Sequence, residues 1–162
     1  VSSPKDVPTY DLKPEMSAAG VTDRLIEHLR AHPTDVVILN YANCDMVGHT
    51  GSMEATVKAV EAVDSNLGRL LAVLESLGGR AIITADHGNA DQMIDYETGG
   101  VHTFHTKHPV PLVLWGVGNV ALKSGGSLCD IAPTACEILG IAPSPLMTGE
   151  SLIGSGRITP KE

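Results

Sequence analysis

Three short stretches carry the side chains able to do chemistry: Asp45 and His49 in NCDMVGHTG, Asp86 and His87 in TADHGNAD, and a histidine cluster in HTFHTKHP that includes His105. A carboxylate and an imidazole four positions apart share a face on a helical turn. In a loop flanked by Gly48 and Gly51 they can still converge. Asp86 and His87 are adjacent, so both face one cation only if the backbone turns, which Gly88 permits. The spacing of His102, His105 and His108 resembles a helical face, but Gly99, Gly100 and Pro109 argue for a loop in which at most one or two are ligands. Each stretch alone has a plain reading: Asp45 capping the helix ahead, Asp86 in an Asx turn, the three histidines exposed. Together they pair Asp with His twice and add a third imidazole. That donor set suits Mn²⁺, Zn²⁺, Co²⁺ or Fe²⁺ better than Mg²⁺ or Ca²⁺, which prefer all-oxygen shells. The substrate such a site favours is oxygen-rich, such as a phosphate ester. No serine sits in a strained G-x-S-x-G elbow and no phosphate-cradling glycine loop precedes a helix, so no nucleophile is marked. Thr50 and Thr106 lie near the candidate ligands with nothing to mark them as activated.

Positioning these residues falls to an α/β fold. The continuous apolar run Asp35–Tyr41 reads as a strand covered on both faces. A long helix is expected from about Ser52 to Leu77, with Val57, Val60, Val63, Leu67, Leu70, Leu71, Leu74 and Leu77 keeping the helical period and Gly78-Gly79 ending it. A strand at Arg80–Ala85 completes a βαβ unit, predicting two parallel strands joined by a right-handed crossover. Asp45 and Asp86 then both leave the carboxyl edge of one sheet, where open α/β sheets place their sites. Residues 87–108 form a long loop, which in compact domains is usually functional or disordered. A third strand, Val110–Gly116, is antiparallel if His105 is to reach Asp45 directly, and parallel only if the chain crosses the sheet first. A helix at about Asp130–Leu139 tolerates Pro133 in its first turn. Upstream, Pro4, Pro8 and Pro14 keep residues 1–16 extended. Ser17 then caps a helix of about fifteen residues whose apolar face is Val21, Leu25, Ile26 and Leu29. The tail from Pro143 reads as irregular.

With 162 residues and 43% hydrophobic content, one domain with a real core is expected. Aromatic residues are 3% of the chain, so that core must be aliphatic. The net charge of −8 argues against nucleic acid or an anionic membrane as partner. An anionic substrate would need local positive charge, which a bound metal supplies. Cys44, Cys129 and Cys136 follow no CxxC spacing, which argues against a disulfide framework or a zinc–thiolate site and for a reducing, cytoplasmic setting. The small Cys44 beside Asp45 reads as a packing residue. No signal peptide or apolar run of transmembrane length is visible. The chain opens at Val1 in a proline-bearing stretch, as an interior segment would. Removal of an initiator Met reads equally well.

The motifs NYANCDMVGHTG, TADHGNADQM and HTFHTKHPVPLVLWG, in this order and spacing, resemble the C-terminal part of the cofactor-independent (2,3-bisphosphoglycerate-independent) phosphoglycerate mutases of the alkaline-phosphatase superfamily. The opening SPKDVPTYDLKPEMSA and the closing DIAPTACEILGIAPSPLMTGESLI resemble the same family. The resemblance implies a three-layer α/β/α partial sheet, mostly parallel, with residues 1–162 forming the C-terminal segment of the phosphatase-like metal-binding domain. It implies an isomerase of glycolysis that interconverts 3-phosphoglycerate and 2-phosphoglycerate through a phosphoserine, with two Mn²⁺ ions for which Zn²⁺ or Co²⁺ could substitute. Carried over by motif, Asp45, His49 and His105 form one metal site, and Asp86 and His87 supply part of the second. His105 is chosen over His102 as the second His of the H-T-x-H-T pattern. The family's nucleophilic Ser, a further Asp ligand and the substrate-gripping residues of the phosphotransferase domain have no counterpart here. The chain therefore carries no catalytic nucleophile of its own, its missing partner is the N-terminal segment of the same protein, and it is expected to be inactive alone. A non-catalytic metal-binding module remains an alternative. So does a small metallophosphatase that uses a metal-bound hydroxide in place of Ser.

Overall fold

The proline-bearing opening forms a single 3₁₀ turn at Tyr10–Leu12, and the first α-helix begins once Pro14 is passed. The computed structural model describes residues 1–159. Helix α1 (Ala18–Ala31) has Ser17 at its N-cap position, but that hydroxyl donates to the Ser2 carbonyl (2.7 Å) and makes no cap. Val21, Leu25, Ile26 and Leu29 are half-buried, while the deepest positions are Ala18 and Thr22. Thr22 is hidden because its hydroxyl is satisfied twice, donating to the Ala18 carbonyl (2.8 Å) and sharing a hydrogen bond with the Tyr41 hydroxyl (2.6 Å). The helix stops at His32, ahead of Pro33.

Helix α2 (Asn43–Gly48) is short, and α3 (Met53–Ser76) is the long helix expected from the sequence. The Ser52 hydroxyl accepts the Ala55 backbone N–H (3.3 Å) at the start of α3, so that end is capped without Asp45. At the other end Gly78 takes φ +63° and the Gly79 N–H returns to the Leu74 carbonyl at 2.7 Å, a glycine-terminated C-cap. Along the second half of α3 the expected face is turned inward, with Leu70 buried and Val63, Leu67, Leu71 and Leu74 half-buried, but the first half departs from it. Val57 and Val60 are 48% and 46% exposed, whereas Ala55, Thr56 and Ala59 are buried. Small side chains let the helix come close to Val47 and Met16, and Met16, Val47, Ala55 and Ala59 form one apolar cluster with Tyr10 packed against it.

The chain divides into two compact units. The first is Val1–Val73 with His87–Pro109, and the second is Leu74–Asp86 with Val110 onward. The second unit holds β1 (Ala81–Thr84), β2 (Leu112–Trp115), β3 (Gly118–Leu122), α4 (Ile131–Leu139) and β4 (Ile153–Ile158). Strand β2 runs antiparallel to β1, with Ala81 opposite Trp115 and Thr84 opposite Leu112. This is the direction the direct route from His105 required. Pro133 is tolerated near the start of α4, and Gly140 ends that helix at φ +71°. Thr134, fully buried, donates to the Asp130 carbonyl (2.7 Å) and accepts the Leu152 N–H (2.9 Å), tying α4 to the segment entering β4.

The fold is α/β; beyond the unforeseen α2 and β3 and the 3₁₀ turn where an extended opening was expected, two expected readings fail. Residues 35–41 join no sheet, so the predicted parallel βαβ unit does not close. Among the described residues both sheets are two-stranded and antiparallel. A strand exists only through its ladder partners, and among the described residues none pairs with this run, whose Ile38 stands 96% exposed. Second, the tail expected to be irregular contributes β4, paired antiparallel with β3. Its I-G-S-G-R-I sequence lacks strand-like apolar alternation. Gly156 sits at φ +109°, where a Cβ would meet the Val120 backbone at 2.8 Å, so the pairing itself demands glycine. Among the described residues no helix is long and apolar enough to cross a membrane.

Candidate metal centre

Asp45 lies in the first turn of α2 and His49 at its C-cap, so the four-residue spacing is realised as one helical turn. Between α2 and α3, Gly51 takes φ +74°, and a Cβ there would overlap the Val101 side chain and lie 3.1 Å from the Thr103 side chain. Glycine at this point lets the returning loop 101–105 come down onto α2. That return brings His105 in. Its Nε2 is 3.0 Å from Asp45 Oδ1 and 3.1 Å from His49 Nε2, and His49 Nε2 is itself 3.1 Å from Asp45 Oδ1.

These three donor atoms form a nearly equilateral triangle. A triangle of that size has a point lying roughly 2.1 Å from all three corners, the bond length of imidazole nitrogen or carboxylate oxygen to a first-row divalent ion. The protonation pattern fits as well. His49 Nδ1 is 2.7 Å from the Thr103 carbonyl, which can only accept, so Nδ1 carries the proton and neutral His49 presents a bare Nε2 to the triangle. Among the described residues this is the group of His, Cys, Asp and Glu whose ligand atoms converge closely enough to hold a metal ion. The triangle opens to solvent: the side chains of Asp45, His49 and His105 are 32%, 41% and 50% exposed.

His87 borders the triangle without entering it. Its ring stacks on His105 with centroids 3.9 Å apart, and its Nδ1 is 4.0 Å from Asp45 Oδ1. Asp86 belongs to the second unit, exposed just past the end of β1. The other two histidines of the cluster are engaged elsewhere. His102 Nδ1 is 3.0 Å from the Gln92 carbonyl, and the ring meets Phe104 edge-on. His108 Nδ1 bonds to Asp91 Oδ2 at 2.7 Å, and the Thr106 hydroxyl donates to the same carboxylate at 2.9 Å. Burial pushes the Asp91 carboxyl up, but the hydrogen bonds from His108 and Thr106 outweigh it and leave the group below its ordinary value. Cys44, next to Asp45, is half-buried and takes no part in the triangle; burial raises its thiol.

Two residues around the triangle went unassigned in the sequence. Asp91 holds the strand-like bridge in which Thr106 faces Gly88, next to His105. Asn89 is 4% exposed, and its Nδ2 donates to Asp45 Oδ1 at 3.2 Å. Both fall inside or beside quoted motifs, yet nothing in residue type or spacing separated them from loop residues.

The model of the metalloenzyme superfamily matches residues 1–143. The chain is 54% identical over 153 residues to 2,3-bisphosphoglycerate-independent phosphoglycerate mutase 1 of Methanosarcina acetivorans, covering 94% of this chain and 30% of that protein. It is 56% identical to the corresponding mutase of Acetivibrio thermocellus and 53% identical to that of Pseudomonas putida, with the same coverage. The chain thus spans about 30% of the length of these curated relatives. A solved structure of Leishmania mexicana phosphoglycerate mutase, at low cobalt concentration, superposes with a TM-score of 0.85 at 35% identity, over 96% of this chain and 31% of that one.

Proposed function

The chain belongs to the metalloenzyme superfamily, and from that premise we propose that it is the metal-binding segment of a phosphoglycerate mutase, with Asp45, His49 and His105 holding one divalent ion. The observation that carries this reading is the convergence of one carboxylate oxygen and two imidazole nitrogens within 3.1 Å of one another, with His105 joining from 56 positions beyond His49. Asp86 and His87 supply part of a second ion site. Manganese is the metal of first choice, with zinc or cobalt as substitutes, since the donor set mixes oxygen and nitrogen. The names of the mutase relatives support phosphoglycerate as substrate; a glycolytic, cytoplasmic role is part of the same proposal.

A bound divalent ion supplies Lewis-acid polarisation of a phosphoryl oxygen and cancels negative charge in a chain whose net charge is −8. The chain's own residues do the holding. Asp45 contributes the anionic oxygen, His49 is locked by the Thr103 carbonyl into the tautomer that leaves Nε2 free, and His105 closes the triangle from the loop. The nucleophilic serine and the groups that grip the substrate come, in this proposal, from an upstream segment of the longer protein. Residues 1–162 make up the C-terminal part of its phosphatase-like domain.

Purified chain incubated with Mn²⁺, 3-phosphoglycerate and enolase tests the assignment. Losing a nucleophile together with its neighbours removes several orders of magnitude of rate, so no turnover above background is expected. Metal binding by calorimetry should persist. Turnover near that of an intact mutase would overturn the division of labour, and absence of metal binding would overturn the site.

A further inference from the structure

Asn89 occupies an expensive position. It is 4% exposed, its Nδ2 donates to Asp45 Oδ1 at 3.2 Å, and its Oδ1 is buried with no hydrogen-bond partner among the described residues. An unpartnered buried amide oxygen is costly, and native structures keep few of them. The backbone bears a second cost. The amide abuts Gly48, where a Cβ would overlap Asn89 Oδ1 and sit 2.9 Å from its Cγ; the next neighbour, the Ala90 backbone N, is 3.6 Å away. Gly48 has no positive φ, so its conformation is open to any residue, and in a helix alanine would be the more favourable choice. Glycine is needed there only because of Asn89. Turning the amide over would not relieve the orphaned oxygen, since it would set carbonyl oxygen against carboxylate oxygen.

We propose that Asn89 is a positioning residue for the cation site: its amide fixes the rotation of the Asp45 carboxylate, and Gly48 is the gap that admits it. The inference rests on the reading of Asp45, His49 and His105 as ligands. The Asn89 N–H takes one lone pair of Oδ1, and the other remains for an ion shared with His49 Nε2 and His105 Nε2, which lie 3.1 and 3.0 Å from the same oxygen. The bond is neutral on the donor side, so it orients the carboxylate without cancelling the charge that attracts a cation. Partners of this kind typically tune metal affinity by 10–100-fold.

The test is a double-mutant cycle on the full chain with Asn89→Ala, Gly48→Ala and the pair together. Asn89→Leu is added to fill the same space without a donor. Mn²⁺ and Co²⁺ affinities are read by calorimetry, the Co²⁺ visible spectrum reports ligand geometry, and circular-dichroism melts of the metal-free protein report folding. We expect Asn89→Ala and Asn89→Leu to weaken binding about 10–100-fold and shift the Co²⁺ spectrum. Gly48→Ala should do the same alone and add nothing in the Asn89→Ala background, where its clash has gone. A wild-type chain that binds neither metal would overturn both the ligand reading and this inference. Wild-type binding with Asn89 variants unchanged within about twofold, whatever their melting temperatures, would overturn this inference alone. A Gly48→Ala effect of equal size with and without Asn89 would do so too.

Discussion

Replacing His105 with Ala should weaken divalent-ion binding on the order of 100-fold or more, while His102→Ala and His108→Ala leave it unchanged. The magnitude follows from ligand count. Four-ligand structural zinc sites bind with about 10–16 kcal/mol, or roughly 3 kcal/mol for each ligand, and 1.4 kcal/mol is tenfold. His105 supplies one corner of a three-atom site, 3.0 Å from Asp45 Oδ1 and 3.1 Å from His49 Nε2, and among the described residues no other group of ligand atoms converges there. Its side chain is 50% exposed, so the fold should tolerate the loss. His102 and His108 spend their Nδ1 atoms on the Gln92 carbonyl and the Asp91 carboxylate. Removing either costs about 1 kcal/mol of stability through one hydrogen bond and no ligand. Calorimetric titration with Mn²⁺ at fixed pH and salt, beside a melt of each metal-free variant, separates the two effects. Unchanged affinity in His105→Ala combined with a loss in His102→Ala or His108→Ala would show the ligand register to be wrong.

Other outcomes follow from the same geometry. Calorimetry on the wild-type chain should give a stoichiometry near one, because Asp45, His49 and His105 converge while Asp86 and His87 offer two ligands; two equally tight sites would contradict this. Backbone N–H groups of Glu150 and Ser127 hold the Asp130 carboxyl below its ordinary 3.8. Its folded value is depressed, so its contribution to stability is present above pH 3.8 and lost as pH falls through the folded value. The gap in melting temperature between wild type and Asp130→Asn should therefore be constant at higher pH and narrow only in acid; a gap that widens on acidification would refute the assignment. Ile38→Lys should change the stability of this chain by no more than about 0.5 kcal/mol in urea titration, since Ile38 is 96% exposed, whereas a loss of several kcal/mol would mean the side chain is packed in solution.

The site was more legible in the sequence than the sheet. Asp paired with His beside apolar runs marked Asp45 and His49, and the helical reading of the D-x-x-x-H spacing is the one the chain adopts; His105 was separated from His102 and His108 only by the family resemblance, and it is the one whose ring nitrogen converges with them. Helix α3 was visible from its period, and so was the inward face of its second half around Leu70, but the buried side of its first half was not. Periodicity ranks Val57 above Ala55, while close packing on Val47 rewards the smaller residue. Residues 35–41 have the composition of a buried strand and lack the partner that makes one. Strand β4 has a partner and lacks the composition. Pairing is a property of two segments, and one-dimensional patterns report on one. Asn89 was illegible for a related reason. What marks it is an unpaired buried oxygen and a neighbouring glycine without a Cβ, neither of which exists before the loop is folded.

The first unit is assembled from two stretches of chain, and the triangle draws on both: α2 gives Asp45 and His49, the returning loop gives His105. An ion bridging them would act as a removable staple across a loop of 56 positions. By the chain-entropy measure used for disulfides, a permanent cross-link of that span is worth about 4 kcal/mol against the unfolded chain. A cation staple differs in being set by concentration, since what binds only the folded form stabilises it by mass action. Chelation would then do more than empty a site. It would release the segment His87–Pro109 to whatever hold Asn89 and the Thr103 carbonyl retain on α2, so resistance of that segment to proteolysis becomes a readout of ion supply.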